Sequence, residues 1–232
     1  MTKRIPAFLL FFACFTFSAL AIGEDSKTLS DFNDKIYYRN KLELSQEVGV
    51  LPINLPFVFD VFVGGDYSEE WKHYTLVPEI SSLRWHMGKI NGPSILRGNT
   101  DLTASLSYTG IPRGPESMYG AFDLGVRRNF IHRNWRTAPY FEFRLGAGYI
   151  DAKGPYHVQL AQGQNFTFTI MMGSGARYNF SPRYSVAVGA TYMHVSNLYL
   201  SEPKYIDYGI NVVGPLVGFN MRIGMPKQVA ER

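Results

Sequence analysis

From residue 139 to 150 the chain alternates without a break. Phe141, Phe143, Leu145, Ala147 and Tyr149 take one parity, and Glu142, Arg144, Gly146 and Gly148 take the other. A period of two residues belongs to a β-strand, whose side chains point to opposite faces in turn. The same rhythm returns along the whole chain. In 41–48, Leu42, Leu44 and Val48 oppose Lys41, Glu43, Ser45 and Glu47. In 96–108, Leu102, Ala104, Leu106 and Tyr108 oppose Asp101, Thr103, Ser105 and Ser107. The spacing predicts eight strands, at 41–48, 75–87, 96–108, 118–131, 139–150, 166–180, 184–197 and 209–223. Counts of 15 Tyr, 17 Phe and 22 Gly suit an all-β chain.

The two faces decide which all-β architecture. One face of each strand is large and apolar; the other is small or charged. A soluble sandwich would turn the charged face to water. A small membrane barrel turns the apolar face to lipid, and its narrow interior takes glycines, small residues and paired charges. Glycines facing bulky aromatics in the fifth and sixth strands fit the barrel, as do strands of roughly ten to fifteen residues. The expected fold is therefore an eight-stranded antiparallel transmembrane β-barrel. Short connections after strands two, four and six alternate with longer ones after strands one, five and seven, as expected for turns inside and loops outside. The chain runs on past the last strand through Pro226 to Arg232, where many such barrels end on an aromatic residue.

Residues 1–21 read as a cleavable secretory signal. Lys3 and Arg4 form its positive end, an apolar core runs from Ile5 to Phe17, and Ala19-Leu20-Ala21 supplies the small-x-small cleavage site. Residues 22–232 then form one barrel domain, exported to the bacterial outer membrane. The single cysteine, Cys14, lies in the signal and lacks a lipoprotein box, so the mature domain has neither disulfides nor a thiolate site. Two of the 23 basic residues leave with the signal, against 19 acidic ones, so the mature chain is nearly neutral and no nucleic-acid partner is implied. No cofactor or metal is implied either. His73, His86, His132 and His157 stand at no metal-ligand spacing and are expected at surfaces, interfaces or turns. Within the insertion 51–74, the stretch from Phe57 to Val63 fits an extra strand or a hydrophobic loop equally well.

Chemistry gathers in the last two strands. His194 and Ser196 are two apart and share a face, placing a base beside a hydroxyl, and Asn197 adds an amide donor. By the barrel's parity both look outward near a long loop. Asn211 joins the same face if strands seven and eight pair. Polar groups turned to lipid are costly without a purpose, so three at one rim point to a site that acts on a lipid.

These residues, with the segment Tyr208-Gly209-Ile210-Asn211, resemble the outer-membrane lipid A 3-O-deacylases, a family of eight-stranded barrels. The resemblance covers most of the mature chain in strand pattern and is specific in His194-Val195-Ser196-Asn197. It implies a carboxylic ester hydrolase that removes an acyl chain from lipid A, or lipopolysaccharide, in the outer leaflet. It further implies Ser196 as nucleophile, His194 as base and Asn197 as oxyanion donor. Gly209-Ile210-Asn211 takes the place of the family's Gly-Ile-Glu, so Asn211 stands where an acid orients the histidine. The intervening loop is about three residues longer, and Lys204 stands where the family carries an amide. An asparagine carbonyl can fix the histidine tautomer without supplying charge, while Glu202 and Asp207 are alternative acids in the loop. Another class of function fits the same fold: a non-catalytic barrel with a structural or adhesin-like role. The acyl chain removed and the oligomeric state are not encoded in these motifs.

Overall fold

The computed structural model describes residues 32–57, 74–93, 95–205 and 209–224. The signal segment, Asp207, His73, most of the 51–74 insertion and the tail from 225 lie outside the described residues. The strands are β1 (Leu42–Gly49), β2 (Ile53–Asn54), β3 (Thr75–His86), β4 (Gly98–Arg113), β5 (Met118–Phe130), β6 (Thr137–Ile150), β7 (Phe166–Asn179), β8 (Tyr184–Ser196) and β9 (Ile210–Ile223). Each long strand pairs antiparallel with the next, and β1 also pairs with β9, which closes the barrel. Closure leaves no unpaired edge, the condition for a sheet to cross a membrane. Among the described residues no helix is long and apolar enough to cross one.

The nine strands of the described residues fill eight barrel positions because β2 prolongs β1. Gly49 pairs with Leu216 and Ile53 with Val213, so both run along β9. Between them Leu51 turns away to bridge Leu76 on the other neighbour. The third expected strand extends past its expected end to Arg113, because Ile111 N–H still donates to Ser117 O across the tip. At the next loop Asp151 binds the start of β5. Burial alone would raise its carboxyl, but hydrogen bonds from Met118 N–H, Ser117 and Lys153 win and hold it well below the usual carboxylate range.

The barrel is polar inside and apolar outside. Leu44, Leu106, Phe122, Leu124 and Phe141 are about half exposed on the outer wall, while Glu47, Arg84, Arg127, Glu142 and Arg144 are fully enclosed. Glu47 and Glu142 each contact all three arginines. The distances are 2.7 Å from Arg84 to Glu47, 2.9 Å and 2.7 Å from Arg127 to Glu47 and Glu142, and 3.0 Å from Arg144 to Glu142. Interior glycines make room for them. A Cβ at Gly173 would sit 3.1 Å from Glu142 Cγ, and one at Gly218 would sit 3.0 Å from Glu47 Cγ.

His86 corrects an expectation. It ends β3 on the interior parity, two residues after Arg84, and is fully buried between Glu43 and Asp101 at 3.1 Å and 3.2 Å. The residues before β1 also do more than lead in. A 3-10 turn, Phe32–Lys35, brings Ile36 and Tyr37 against Ile131 and Ala138, and Asn33 donates to the carbonyls of His132 and Trp135. This plug sits at the short-turn end. The site lies at the other.

Candidate active site

Register builds the site. His194 on β8 pairs directly with Asn211 on β9, and Phe168 and Ile170 of β7 pair with Ser196 and His194. Direct partners in an antiparallel sheet hold their Cβ atoms about 4.5–5.5 Å apart, so side chains on one face meet. His194, Ser196 and Asn211 therefore form a row on the outward face, as the alternation predicts. His194 Nε2 lies 3.0 Å from Ser196 Oγ, and His194 Nδ1 lies 2.8 Å from Asn211 Oδ1.

The bonding fixes the tautomer. Asn211 Nδ2 donates to Gly209 O at 3.2 Å, so its Oδ1 is the atom that faces the imidazole. That oxygen can only accept, so Nδ1 carries the proton. Nε2 of the neutral ring is then left as an acceptor for the Ser196 hydroxyl. A ring nitrogen able to take a proton is thus aligned on a hydroxyl, with a third group holding the ring, an arrangement able to support nucleophilic chemistry. Tyr192 donates to the same Asn211 Oδ1 at 2.6 Å.

Although they face outward, His194 and Ser196 are only 7% and 6% exposed. A cavity of about 250 Å³ lies over them, walled by Phe57, Phe168, Ile170, Leu198 and Tyr199. Phe57 stacks on the imidazole with ring centres 4.2 Å apart. It is carried there by β2, whose Asn54 exchanges two hydrogen bonds with the Tyr74 backbone, at 2.6 Å and 2.9 Å, across the base of the insertion. Past Ser196 the chain turns through Leu198 and Tyr199, both in the left-handed region at φ 53° and 61°.

Other expected residues stand elsewhere. Asn197 is one residue past Ser196 and so on the other face. It is fully buried, and its amide donates to Ser201 Oγ at 2.9 Å, which in turn donates to Tyr205 O. It braces the loop and does not line the cavity. Glu202 and Lys204 are exposed on that loop and do not line the cavity either. Lys204 instead lies over the Tyr205 ring. No group of three or more His, Cys, Asp or Glu is placed to hold a metal ion among the described residues. Sequence reasoning missed Tyr192 and Phe57. The first shares the parity of His194 and was within reach of the alternation; the second had no local signal.

A family model described as lipid A 3-O-deacylase (PagL) matches residues 66–220. The chain belongs to this family. The match spans Ser196, His194 and Asn211 and leaves β1, β2 and Phe57 outside it. None of the curated proteins compared with the chain matches it. Similar solved structures include the outer membrane enzyme PagL, 15% identical, covering 77% of this chain and 98% of that one, with a TM-score of 0.46. Neisserial surface protein A is 10% identical, covers 78% and 96% respectively, and has a TM-score of 0.43.

Gly209 lies beside the row, and the geometry gives its lack of a side chain a reason. A Cβ there would sit 3.2 Å from His194 Cε1 and 3.6 Å from Asn211 Nδ2. Gly209→Ala is expected to press on the imidazole and, where ester release runs through that ring, to lower turnover about tenfold, since small misplacements of reacting groups are costly. Assays of ester release beside unheated gel mobility check this. A folded variant with full activity would show that the ring has slack.

Proposed function

We propose that this PagL-family barrel is a serine-type carboxylic ester hydrolase of the outer membrane, removing an ester-linked acyl chain from lipid A in the outer leaflet. The observation that carries the reading is the unbroken row from Ser196 Oγ through the imidazole to Asn211 Oδ1, set in an apolar-walled cavity. The row opens on the lipid-facing side of the wall, at the end with the longer loops. Such loops face outward in barrels of this kind. A substrate held in the membrane could therefore bring its acyl ester to Ser196 without leaving the bilayer.

In this reading His194 Nε2 takes the Ser196 proton as Oγ attacks the ester carbonyl. The oxyanion is met by backbone N–H groups of the turn after Ser196, which Asn197 braces from behind. Collapse of the tetrahedral intermediate releases the sugar hydroxyl, protonated by His194. Water, activated by the same imidazole, then cleaves the acyl-enzyme to give a free fatty acid and restore Ser196. Asn211 holds the productive tautomer but lends no full charge to the imidazolium, so the rate should fall short of that with a carboxylate.

Mass spectrometry of lipid A from bacteria expressing the wild type or Ser196→Ala tests the proposal. The wild type is expected to yield lipid A lighter by one acyl chain, and the variant unshortened lipid A. Identical spectra from both, with both barrels folded, would favour a structural or adhesin-like barrel.

A further inference from the structure

Tyr192 stands two residues before His194 on β8 and shares its face. It pairs with Val213, which makes Asn211 its diagonal neighbour on β9. Diagonal positions in an antiparallel sheet are roughly 7–8 Å apart, a gap that an aromatic side chain spans. The Tyr192 ring is 6% exposed and its hydroxyl closes the gap to Asn211 Oδ1 at 2.6 Å.

A carboxamide beside a histidine carries a problem that a carboxylate does not. Its two ends differ. With oxygen toward the ring, Nδ1 holds the proton and Nε2 can serve as base. With nitrogen toward the ring, Nδ1 must accept, the proton moves to Nε2, and Ser196 faces a donor. The second arrangement satisfies the imidazole as well as the first but cannot take a proton from serine. Gly209 O, an acceptor only, selects the first by binding Asn211 Nδ2. A hydroxyl can donate or accept, so Tyr192 does not choose the end; it holds the chosen oxygen against the imidazole.

We propose that Tyr192 is the positioning residue that lets an asparagine serve at position 211, a role that rests on the Ser196–His194 reading above. Asn211 Oδ1 receives two donors, one from the ring and one from the phenol, and Nδ2 is tied to the backbone. All three restrain the side chain from swinging into the cavity. A glutamate would need less help, because either oxygen accepts and its charge attracts the imidazole directly.

The test compares Tyr192→Phe in two backgrounds of the full-length barrel, native and Asn211→Glu. Folding is checked by heat-shifted gel mobility, and turnover is followed on lipopolysaccharide in detergent. In the native background kcat is expected to fall about fivefold to tenfold, the size of one lost hydrogen bond. KM should not change, since Tyr192 does not line the cavity. In the Asn211→Glu background the loss should stay within about twofold. Equal losses in both backgrounds, or none in the native one, would overturn the proposal. If Ser196→Ala proves as active as the wild type, or neither hydrolyses ester, the hydrolase reading fails instead. Nitrogen-15 shifts of His194 then decide: a wild-type Nδ1–H form that becomes mixed in Tyr192→Phe supports the positioning role, and an unchanged form rejects it.

Discussion

Replacing Ser196 or His194 by alanine is expected to cut ester release by a factor on the order of 10⁴–10⁶ while leaving the barrel intact. In the proposed mechanism the two act as one unit, so removing either forfeits the whole nucleophilic route. The structural effect should be small, because both side chains lie on the outer wall at the end of β8 and neither touches the interior ion cluster. Asn211 grades the same experiment. Asn211→Ala removes the acceptor for Nδ1–H and is expected to cost about tenfold to a hundredfold. Asn211→Glu adds charge opposite the imidazolium, worth about 1.5–3 kcal/mol on the scale of a charge-assisted hydrogen bond. That corresponds to a gain of roughly tenfold to a hundredfold. Glu202→Ala should behave as the wild type, since its side chain stands away from the cavity. A dead Glu202 or Asp207 variant beside an active Asn211→Ala would make a loop carboxylate the third member.

Removing one interior carboxylate should be the most damaging change to stability. Glu47 and Glu142 share Arg84, Arg127 and Arg144, with all five side chains 4% exposed or less. Glu47→Gln leaves three enclosed guanidiniums facing a single carboxylate. Breaking a buried pair from one side costs about 3–5 kcal/mol, because the stranded charge cannot reach water. Gln46 is the control: next in sequence, it points outward, accepts from Ser81 Oγ at 2.6 Å and donates to the Glu79 carboxylate at 3.2 Å. Gln46→Ala is expected to cost about 1 kcal/mol, because both of its hydrogen bonds are exposed and water replaces them. Urea titrations followed by heat-shifted gel mobility measure both. A Glu47→Gln barrel as stable as Gln46→Ala would mean that the interior holds enough water to solvate the arginines.

Alternation made most of the barrel legible. A strand's two faces are written in consecutive residues, so all eight long strands could be placed with ends differing by a few residues at most. The widest difference is the reach of β4 to Arg113, where Gly110 and Pro112 read as a turn yet Ile111 still pairs across the tip. Parity also put His194, Ser196 and Asn211 on one outward face. The same rule places Asn197 on the other face, and the structure finds it there, bracing the loop beneath the site. His86 was equally within reach of parity, since it continues the interior series of Arg84.

The chain's own order determined the strands, their faces and the neighbouring base and hydroxyl, because each of these depends on residues one or two apart. Tertiary structure decided what depends on contacts distant in sequence. Register across the β8–β9 hairpin set Asn211 directly opposite His194, and barrel closure brought Glu47 to arginines as far away as position 144. The kink between β1 and β2 carried Phe57 onto an imidazole 137 residues further along the chain. No local pattern encodes such meetings. They follow from pairing geometry and closure, which only the whole sheet specifies.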